Sequence, residues 1–505
     1  MTTIEYLSMP GYERLFFNFL NFFKRLPHRV GMAFNKLPTK ARRLGEKMAS
    51  PFTDLYSAAV YGDWRTRLSF LIMGFGQVTR RQVLRGILYF LYEVCFIVFM
   101  ILVGGKNLAA LGTLGQLGQV KFEVGYVEVQ ILYDDSLTIL IYSVLALVLI
   151  LLLAYLYVSQ IRDSLRLQRS AYIGHFTSDR ETLRNVLDKS YHRTLLCLPM
   201  AGVVIFTVVP VIIMTLICFT NYNDDHLTPA KLIDWVGFQN FATIFSQTGS
   251  TGGVFLQVFG KVLLWTLIWA FFATFTNYFL GMVVAMMINA KGVKLKKFWR
   301  TILITTIAVP QFISLLLMSQ MFEQNFGVIN QLFNLNVPWF NNAVLAKVMV
   351  IVINTWLGIP YTMLICTGLL MNIPADLYES AKIDGAGPFK TYMKITLPYM
   401  LFVTTPYLIS QFVGNINNFN VIYLLTQGGP QMMFGTGVIV PKQINGIGET
   451  DLLITWIYKM CMTATYKDYG TASVLGLLIF VVVAFFSLVV FNNSKSVKNE
   501  EDYQL

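Results

Sequence analysis

Charge is scarce in this chain of 505 residues: 13% are Asp, Glu, Lys or Arg, against 55% that are hydrophobic. That excludes a soluble protein of this length, because so few charged groups cannot furnish a surface facing water. Cysteine is thin as well. Cys95, Cys197, Cys218, Cys366 and Cys461 form no CxxC pair and mostly fall in apolar stretches, so neither a disulfide framework nor a zinc site is indicated. The four histidines are isolated and none completes an HExxH pattern; they read as structural or solvated. No G-x-x-x-x-G-K-[ST] phosphate loop occurs, since the run Gly104, Gly105, Lys106 lacks the earlier glycine and the Ser/Thr. The chain is therefore expected to bind no ATP and to hold no cofactor or metal. Gly-x-Ser-x-Gly, metal-ligand pairs and paired carboxylates are also missing, which ranks an intramembrane enzyme low. Ionisable groups inside the apolar stretches amount to little beyond Glu93, read as a partnered structural residue. An ion-coupled carrier acting alone normally keeps such groups, so it is the alternative rather than the first choice.

What is abundant is apolar length. Stretches of about 20 apolar residues, enough to cross a bilayer, occur near Gly86 to Gly105, Thr138 to Val158, Leu195 to Phe219, Val262 to Ile288, Thr301 to Met321, Ala346 to Leu370, Leu397 to Gly414 and Ala472 to Phe491. The expectation is an all-α integral membrane protein with eight transmembrane helices. The seventh has the least distinct end, because its C-terminal half turns polar.

Basic residues near span ends mark the cytoplasmic side. Arg80, Arg81 and Arg85 precede the first span; Arg162, Arg166, Arg169, Arg180, Arg184 and Arg193 precede the third; Lys291, Lys294, Lys296, Lys297 and Arg300 precede the fifth. The stretch from Glu323 to Asn342 has no Lys or Arg. With eight spans both termini are expected in the cytosol, and the net charge of +12 is mostly topology. It is spread over membrane flanks without a nucleic-acid-binding module, so no nucleic acid is expected as partner. Near the N-terminus, Phe16, Phe17, Leu20 and Phe23 suit the acyl boundary of a lipid surface, with Lys24, Arg25, His28 and Arg29 meeting anionic lipid. A loosely ordered basic arm is the other reading of this region. It is no signal peptide, because no small-residue cleavage site follows.

The stretch Asp376 to Pro398, DLYESAKIDGAGPFKTYMKITLP, is polar and lies between two apolar spans. Asp376 reads as an N-cap and Glu379 as its capping-box partner, predicting a short helix from Leu377 to about Asp384 that Gly385 ends. Gly387 and Pro388 then suit an N-cap and first helical position of a second short helix. Such a loop forms a helical knob that something outside the membrane can grip.

In order this loop reads Glu379, Ser380, Ala381, three residues, Gly385, nine residues, Ile395, one residue, Leu397 and Pro398. That resembles the EAA loop of bacterial ABC importer permeases. Further segments extend the resemblance: FTNYN from Phe219, VGFQNFATIF from Val236, FWRTILITTIAVPQFIS from Phe298, FGVINQLF from Phe326, NTWLGIPYTMLICTGLL from Asn354 and FNVIYLLTQGGP from Phe419. Together they are similar to the larger permease subunit of maltose and maltodextrin importers. A departure is the short stretch from Thr220 to Lys261, where the best-known form has a large extracellular insertion.

The resemblance implies a type I ABC importer permease fold with kinked core helices, in the bacterial cytoplasmic membrane. Glu379, Ser380, Ala381, Asp384 and Gly385 would belong to a coupling helix seated in a separate ATPase. The implied partners are a second, shorter permease subunit, two copies of an ABC ATPase subunit that bind ATP and Mg, an extracellular solute-binding protein, membrane lipid and an oligosaccharide, first of all of maltodextrin type. The implied organisation is a basic cytosolic or interfacial region at 1–85, two accessory helices at 86–194, a permease core at 195–491 with the EAA loop at 376–398, and a cytosolic tail at 492–505.

A path for sugar has its own signals. Pro310, Pro360 and Pro406 each remove a helical hydrogen bond at membrane depth and can kink their spans. Gln411, Asn415 and Asn418, beside Gly414, form a polar stripe at i, i+4 and i+7 that lipid cannot face. Carboxamides offer donor and acceptor to sugar hydroxyls, and Trp356 and Tyr361 offer ring faces. The other reading of the stripe is glue to a neighbouring helix. Compared with the family's pocket, Leu357, Gly358, Tyr361, Asn415 and Asn418 agree, whereas Gln411 replaces a serine, Gly414 a phenylalanine and Ile307 a tyrosine. The resemblance thus implies alternating access around a pocket with two aromatic walls missing.

Overall fold

The computed structural model describes residues 53–116, 120–121, 130–131, 134–174, 178–188, 191–227, 231–245, 252–290, 292–435 and 440–493. The segment with Phe16, Phe17, Leu20, Phe23 and its basic neighbours lies outside the described residues, as does most of 492–505. Among the described residues the chain is helical apart from one antiparallel pair of two-residue strands, Val120–Lys121 and Gln130–Ile131.

Among the described residues, six helices are long and apolar enough to cross a membrane: α1 (Val83–Ala110), α2 (Ser136–Tyr172), α3 (Thr194–Ile217), α4 (Gly253–Asn289), α7 (Ala343–Leu370) and α13 (Tyr469–Asn492). Between α4 and α7 lie α5 (Lys296–Ala308) and α6 (Gln311–Met321), bent by 87° and counting as a seventh crossing if taken as one. After α7 come α8 (Ala375–Ile383), α9 (Pro388–Thr391), α10 (Leu397–Ile416), α11 (Phe419–Thr426) and α12 (Leu453–Tyr458). Length and composition therefore mark six or seven crossings among the described residues and leave the expected eight unconfirmed. The missing one is α10, a helix of 20 residues diluted by Pro398, Pro406, Gln411 and Asn415. The bend was expected from Pro310: Val309 is extended, as a residue before proline prefers, and α6 restarts at Gln311. Pro360 and Pro406 instead remain inside continuous helices.

The chain divides into two compact units, one from Met1–Ala109 with Ile141–Thr207, the other from Ala110–Leu140 with Val208–Leu505. The first has a polar centre. Arg80, only 4% exposed, donates to Asp63 at 2.5 Å, Thr66 at 2.9 Å, and Ser164 and the Gly76 carbonyl at 3.0 Å. Gln160 Nε2 donates to the Ser69 carbonyl at 2.8 Å, while the backbone carbonyl of Gln160 accepts from Gln77 Nε2 at 2.6 Å. Burial pushes the Asp63 carboxyl up, but the Thr66 N–H and the Arg80 guanidinium outweigh it and hold the group below its ordinary value. Glu93, the ionisable residue of α1, accepts the Met73 N–H at 2.8 Å, and Arg85 pairs with Asp163.

The second unit is organised by α4. Gly281 on α4 lies against Thr362 and Gly358 on α7 lies against Asn277; a Cβ at either glycine would come within 2.7 Å and 2.3 Å of those side chains. Thr276 and Thr355 share a hydroxyl hydrogen bond of 2.8 Å in the same seam. Residue numbers rise together along both helices, so α4 and α7 run parallel. α10 packs the opposite way: Trp269 donates to the Asn415 carbonyl at 3.0 Å, while Tyr278 bonds Thr404 at 2.8 Å.

At the end of α10 remote from α8, the TQGGP segment closes on a buried carboxylate. Asp451 has no exposure; it accepts from Gly448 N at 2.7 Å, Thr455 at 2.9 Å and Lys459 at 2.6 Å. Gly428, at φ +84°, leaves the space that a Cβ would fill 2.0 Å from Asp451 Oδ1. Burial pushes the Asp451 carboxyl up despite Lys459. Replacing Lys459 by Met leaves that carboxylate buried and unpaired, a loss of about 3–5 kcal/mol at neutral pH. Because the folded-state value is raised, the protonated form is favoured at low pH and its benefit is lost as pH rises. The thermal melting deficit of K459M relative to the parent is therefore expected to shrink as pH is lowered.

Candidate functional site

Two sites stand at opposite ends of α10. The first is the knob of α8 and α9. Its helix starts at Ala375 behind Pro374, two residues before the predicted start, and no side chain caps it. Asp376 thus lies in the first turn, where its charge suits the helix dipole, and the predicted capping box with Glu379 is not formed. The predicted stop is present. Gly385 sits at φ +71°, its N–H bonds the Lys382 carbonyl at 3.0 Å, and Ala386 N reaches the Ala381 carbonyl at 2.9 Å, which closes the helix as a Schellman motif. Gly387 is the N-cap of α9 and Pro388 its first residue, as predicted.

Packing fixes the knob at its base: Ala381 is buried and the Tyr378 hydroxyl bonds Thr396 at 3.0 Å. Glu379, Ser380, Asp384 and Gly385 are exposed. So are apolar side chains that water does not favour, Ile383 at 86% and Phe389 at 76%. A rigid, polar-and-apolar tip of this kind suits a protein cleft.

The second site is a pair of cavities, one along α5, α6 and α7, the other where α4, α7 and α10 meet. A cavity of about 380 Å³ opens beside the break between α5 and α6, lined by Leu303, Thr306, Val309, Trp356, Leu357 and Pro360 among others. A smaller, more polar cavity of about 50 Å³ is lined by Asn277, Gly358, Tyr361, Thr362, Tyr407 and Gln411 with Ala273, Thr274 and Tyr278. Gly358, Tyr361 and Gln411 thus come together as predicted, and Leu357 lines the larger cavity next door. Ile307 is exposed beside Thr306, and Gly414 opens onto empty space.

Asn415 and Asn418 are used differently from the predicted stripe. α10 ends at Ile416, and Asn418 is the N-cap of α11, accepting from Val421 N at 3.3 Å. Its Nδ2 donates to Asn415 Oδ1 at 3.2 Å, while Asn415 Nδ2 donates to Thr274 at 3.0 Å. Both amides are therefore engaged in holding helices together, the second of the two readings. Asn277 and Tyr407 were missed. Asn277 is the one carboxamide between Val262 and Ile288, and that was the available signal.

The family described as "Binding-protein-dependent transport system inner membrane component" matches residues 277–498. The Maltodextrin transport system permease protein MdxF of Bacillus subtilis (strain 168) is 35% identical over 445 residues, covering 85% of this chain and 95% of that protein. The chain belongs to this family of transport permeases. The Galactooligosaccharides transport system permease protein GanP of the same organism is 33% identical, over 85% of this chain and 97% of that protein. The Maltose/maltodextrin transport system permease protein MalF of Escherichia coli (strain K12) is 37% identical over 53% of this chain and 51% of that protein. A crystal structure of a bacterial ABC transporter involved in the import of alginate aligns at a TM-score of 0.46 and 20% identity over 63% of this chain and 99% of that chain.

This permease is a multi-pass membrane protein whose matched region begins at Asn277 and takes in the knob and, apart from Ala273 and Thr274, the cavity linings named above. Its central seam gives a direct test. Gly281→Ala and Gly358→Ala each place a methyl against a packed side chain and are expected to cost about 1–3 kcal/mol. Gly414→Ala, which meets nothing within 4 Å, should leave the thermal melting point of the purified protein unchanged by that route. Equal melting points for all three variants would contradict the seam.

Proposed function

We propose that this permease is one transmembrane half of an ATP-driven importer of oligosaccharides, with maltodextrin-type α-glucosides as the substrate class. The observation that carries this reading is the knob, the Schellman-capped α8 followed by α9, whose exposed surface combines Glu379 and Ile383 of the first with Phe389 of the second. Such a tip has no use inside one chain and fits the cleft of a separate ATPase subunit, two copies of which would bind ATP and Mg. The permease itself would bind neither. The printed substrates of its relatives, maltodextrin and galactooligosaccharide, support an oligosaccharide, and the agreement at Leu357, Gly358 and Tyr361 favours the α-glucoside.

In this reading α10 is the remaining crossing, since it packs antiparallel to α4 across the same layer. The basic flanks then put the termini and the knob in the cytosol. A second, shorter permease would complete the pathway and an extracellular solute-binding protein would deliver the sugar. The two accessory helices at 86–194 would precede a core at 195–491. ATP-driven closure of the ATPases would pull on Glu379, Ser380, Ala381, Asp384 and Gly385, and the broken α5–α6 and proline-bearing α7 and α10 would rock between outward and inward openings.

Two measurements on the complete transporter in proteoliposomes test this. Gly385→Val forces a β-branched residue to φ +71°, a strain of roughly 1–2 kcal/mol, and Glu379→Ala removes an exposed carboxylate. Both are expected to cut sugar uptake per ATP hydrolysed while the protein still inserts; undiminished uptake in both variants would defeat the coupling role. Maltooligosaccharides should compete for uptake better than galactooligosaccharides, and accumulation by this chain alone on an ion gradient would favour the carrier instead.

A further inference from the structure

Between the short helices Trp64–Leu68 and Phe75–Val78 the first unit has an irregular segment, Ser69 to Gly74, reading SFLIMG. Leu71 is 74% exposed and Ile72 is exposed beside it, whereas Met73 is buried. Protein groups nevertheless satisfy the backbone here. The N–H groups of Ser69, Phe70, Leu71 and Ile72 bond carbonyls of residues 66–68. Met73 N donates to the Glu93 carboxylate at 2.8 Å and Gly74 N to Gln160 Oε1 at 3.5 Å. The Tyr157 hydroxyl donates to the Phe70 carbonyl at 2.9 Å, and Gln160 Nε2 takes that of Ser69. An exposed turn in water needs no such help, while hydrocarbon tolerates irregular backbone only where protein satisfies it.

The partners fix the depth of this turn. α1 and α2 run antiparallel, since Arg85 pairs with Asp163 and Tyr92 donates to the Leu149 carbonyl. From Arg85 to Glu93 is about 12 Å of helix, and from Asp163 back to Tyr157 about 9 Å, at 1.5 Å per residue. The turn thus lies on the bilayer side of a charged layer in which Asp63 pairs with Arg80 and Asp54 with Arg162. Gly74, at φ +85°, holds it against α1: a Cβ there would fall 2.1 Å from the Gly86 carbonyl oxygen. Leu71 and Ile72 therefore continue the exposed apolar face of α1 formed by Ile87, Leu88 and Leu91. Nearer the charged layer, exposed Trp64 carries the Arg65 guanidinium over its ring at 5.4 Å, an amphipathic ring and a cation that suit the headgroup level.

We propose that residues 64–74 form a wedge embedded in phospholipid. Leu71 and Ile72 enter the acyl region of the leaflet at the N-terminal end of α1, Trp64 and Arg65 lie among the headgroups, and Glu93 keeps the turn there by accepting the Met73 N–H. This gives the intramembrane carboxylate of α1 a positioning role and makes the stretch before the first span part of the membrane anchor. It is independent of the oligosaccharide reading.

The test reconstitutes the transporter into vesicles of phosphatidylethanolamine and phosphatidylglycerol containing a phospholipid with a diazirine in its acyl chain. After photolysis, mass spectrometry locates the labelled residues. Leu71 and Ile72 are expected to be labelled together with exposed Ile97 of α1. A labelled Ile97 with Leu71 and Ile72 unlabelled, as water or a covering protein would give, overturns the proposal. In Glu93→Leu the Met73 N–H loses its acceptor, so the ratio of Leu71 to Ile97 labelling should fall severalfold, and Glu93→Gln, which keeps an acceptor, should restore it. An unchanged ratio in Glu93→Leu overturns the role given to Glu93. Failure of that variant to insert would remove Ile97 labelling as well, and the parent pattern then decides alone.

Discussion

The close parallel seam between α4 and α7 is the constraint on which the second unit depends. Lipid offers no hydrophobic drive for helices to associate, so contact must come from close packing and hydrogen bonds. Gly281 and Gly358 supply the first and the Thr276–Thr355 pair the second. Because the two helices point the same way, the chain between them has to recross the layer, which gives the broken α5–α6 element its place. The same seam presents Trp269, Thr274 and Tyr278 along one side of α4, and these fix α10 through Asn415 and Thr404.

Three prolines at membrane depth have two outcomes. Pro310 ends one helix and starts another because Val309 turns extended before it. Pro360 and Pro406 stay in helices whose nearby carbonyls receive side-chain hydroxyls: Thr362 to Gly358, Thr404 to Met400 and Thr405 to Leu401. The contrast matters for function, since a broken element and two intact but weakened ones border the cavities, while the rigid knob sits at the other end of α10.

Much of this was legible along the chain. The apolar lengths located the long helices, although α2 runs on past Val158 to Tyr172 and α4 starts at Gly253, ahead of Val262, and Gly385 with the Gly387 and Pro388 pair marked the knob, because helix stops and starts are local backbone chemistry. The capping box was not legible: Pro374 starts α8 earlier than Asp376, and a proline's fixed φ serves a helix start as well as a polar cap does. Periodicity also ran past the end of α10, so Asn418 was placed on a helix that it does not belong to; its side chain caps the next one.

The sequence by itself determined the membrane class, the spans, the knob and its resemblance to importer permeases, since length, hydropathy and turn chemistry act between near neighbours. Only the tertiary structure decided which carboxamides are spent and which is left. Asn415 finds Thr274 across 141 residues of chain, and the Asn277 Oδ1 is left buried without a partner, its amide lying against Gly358 on another helix. In a low-dielectric interior each polar atom must find a partner wherever the fold supplies one, and no local pattern shows where that is.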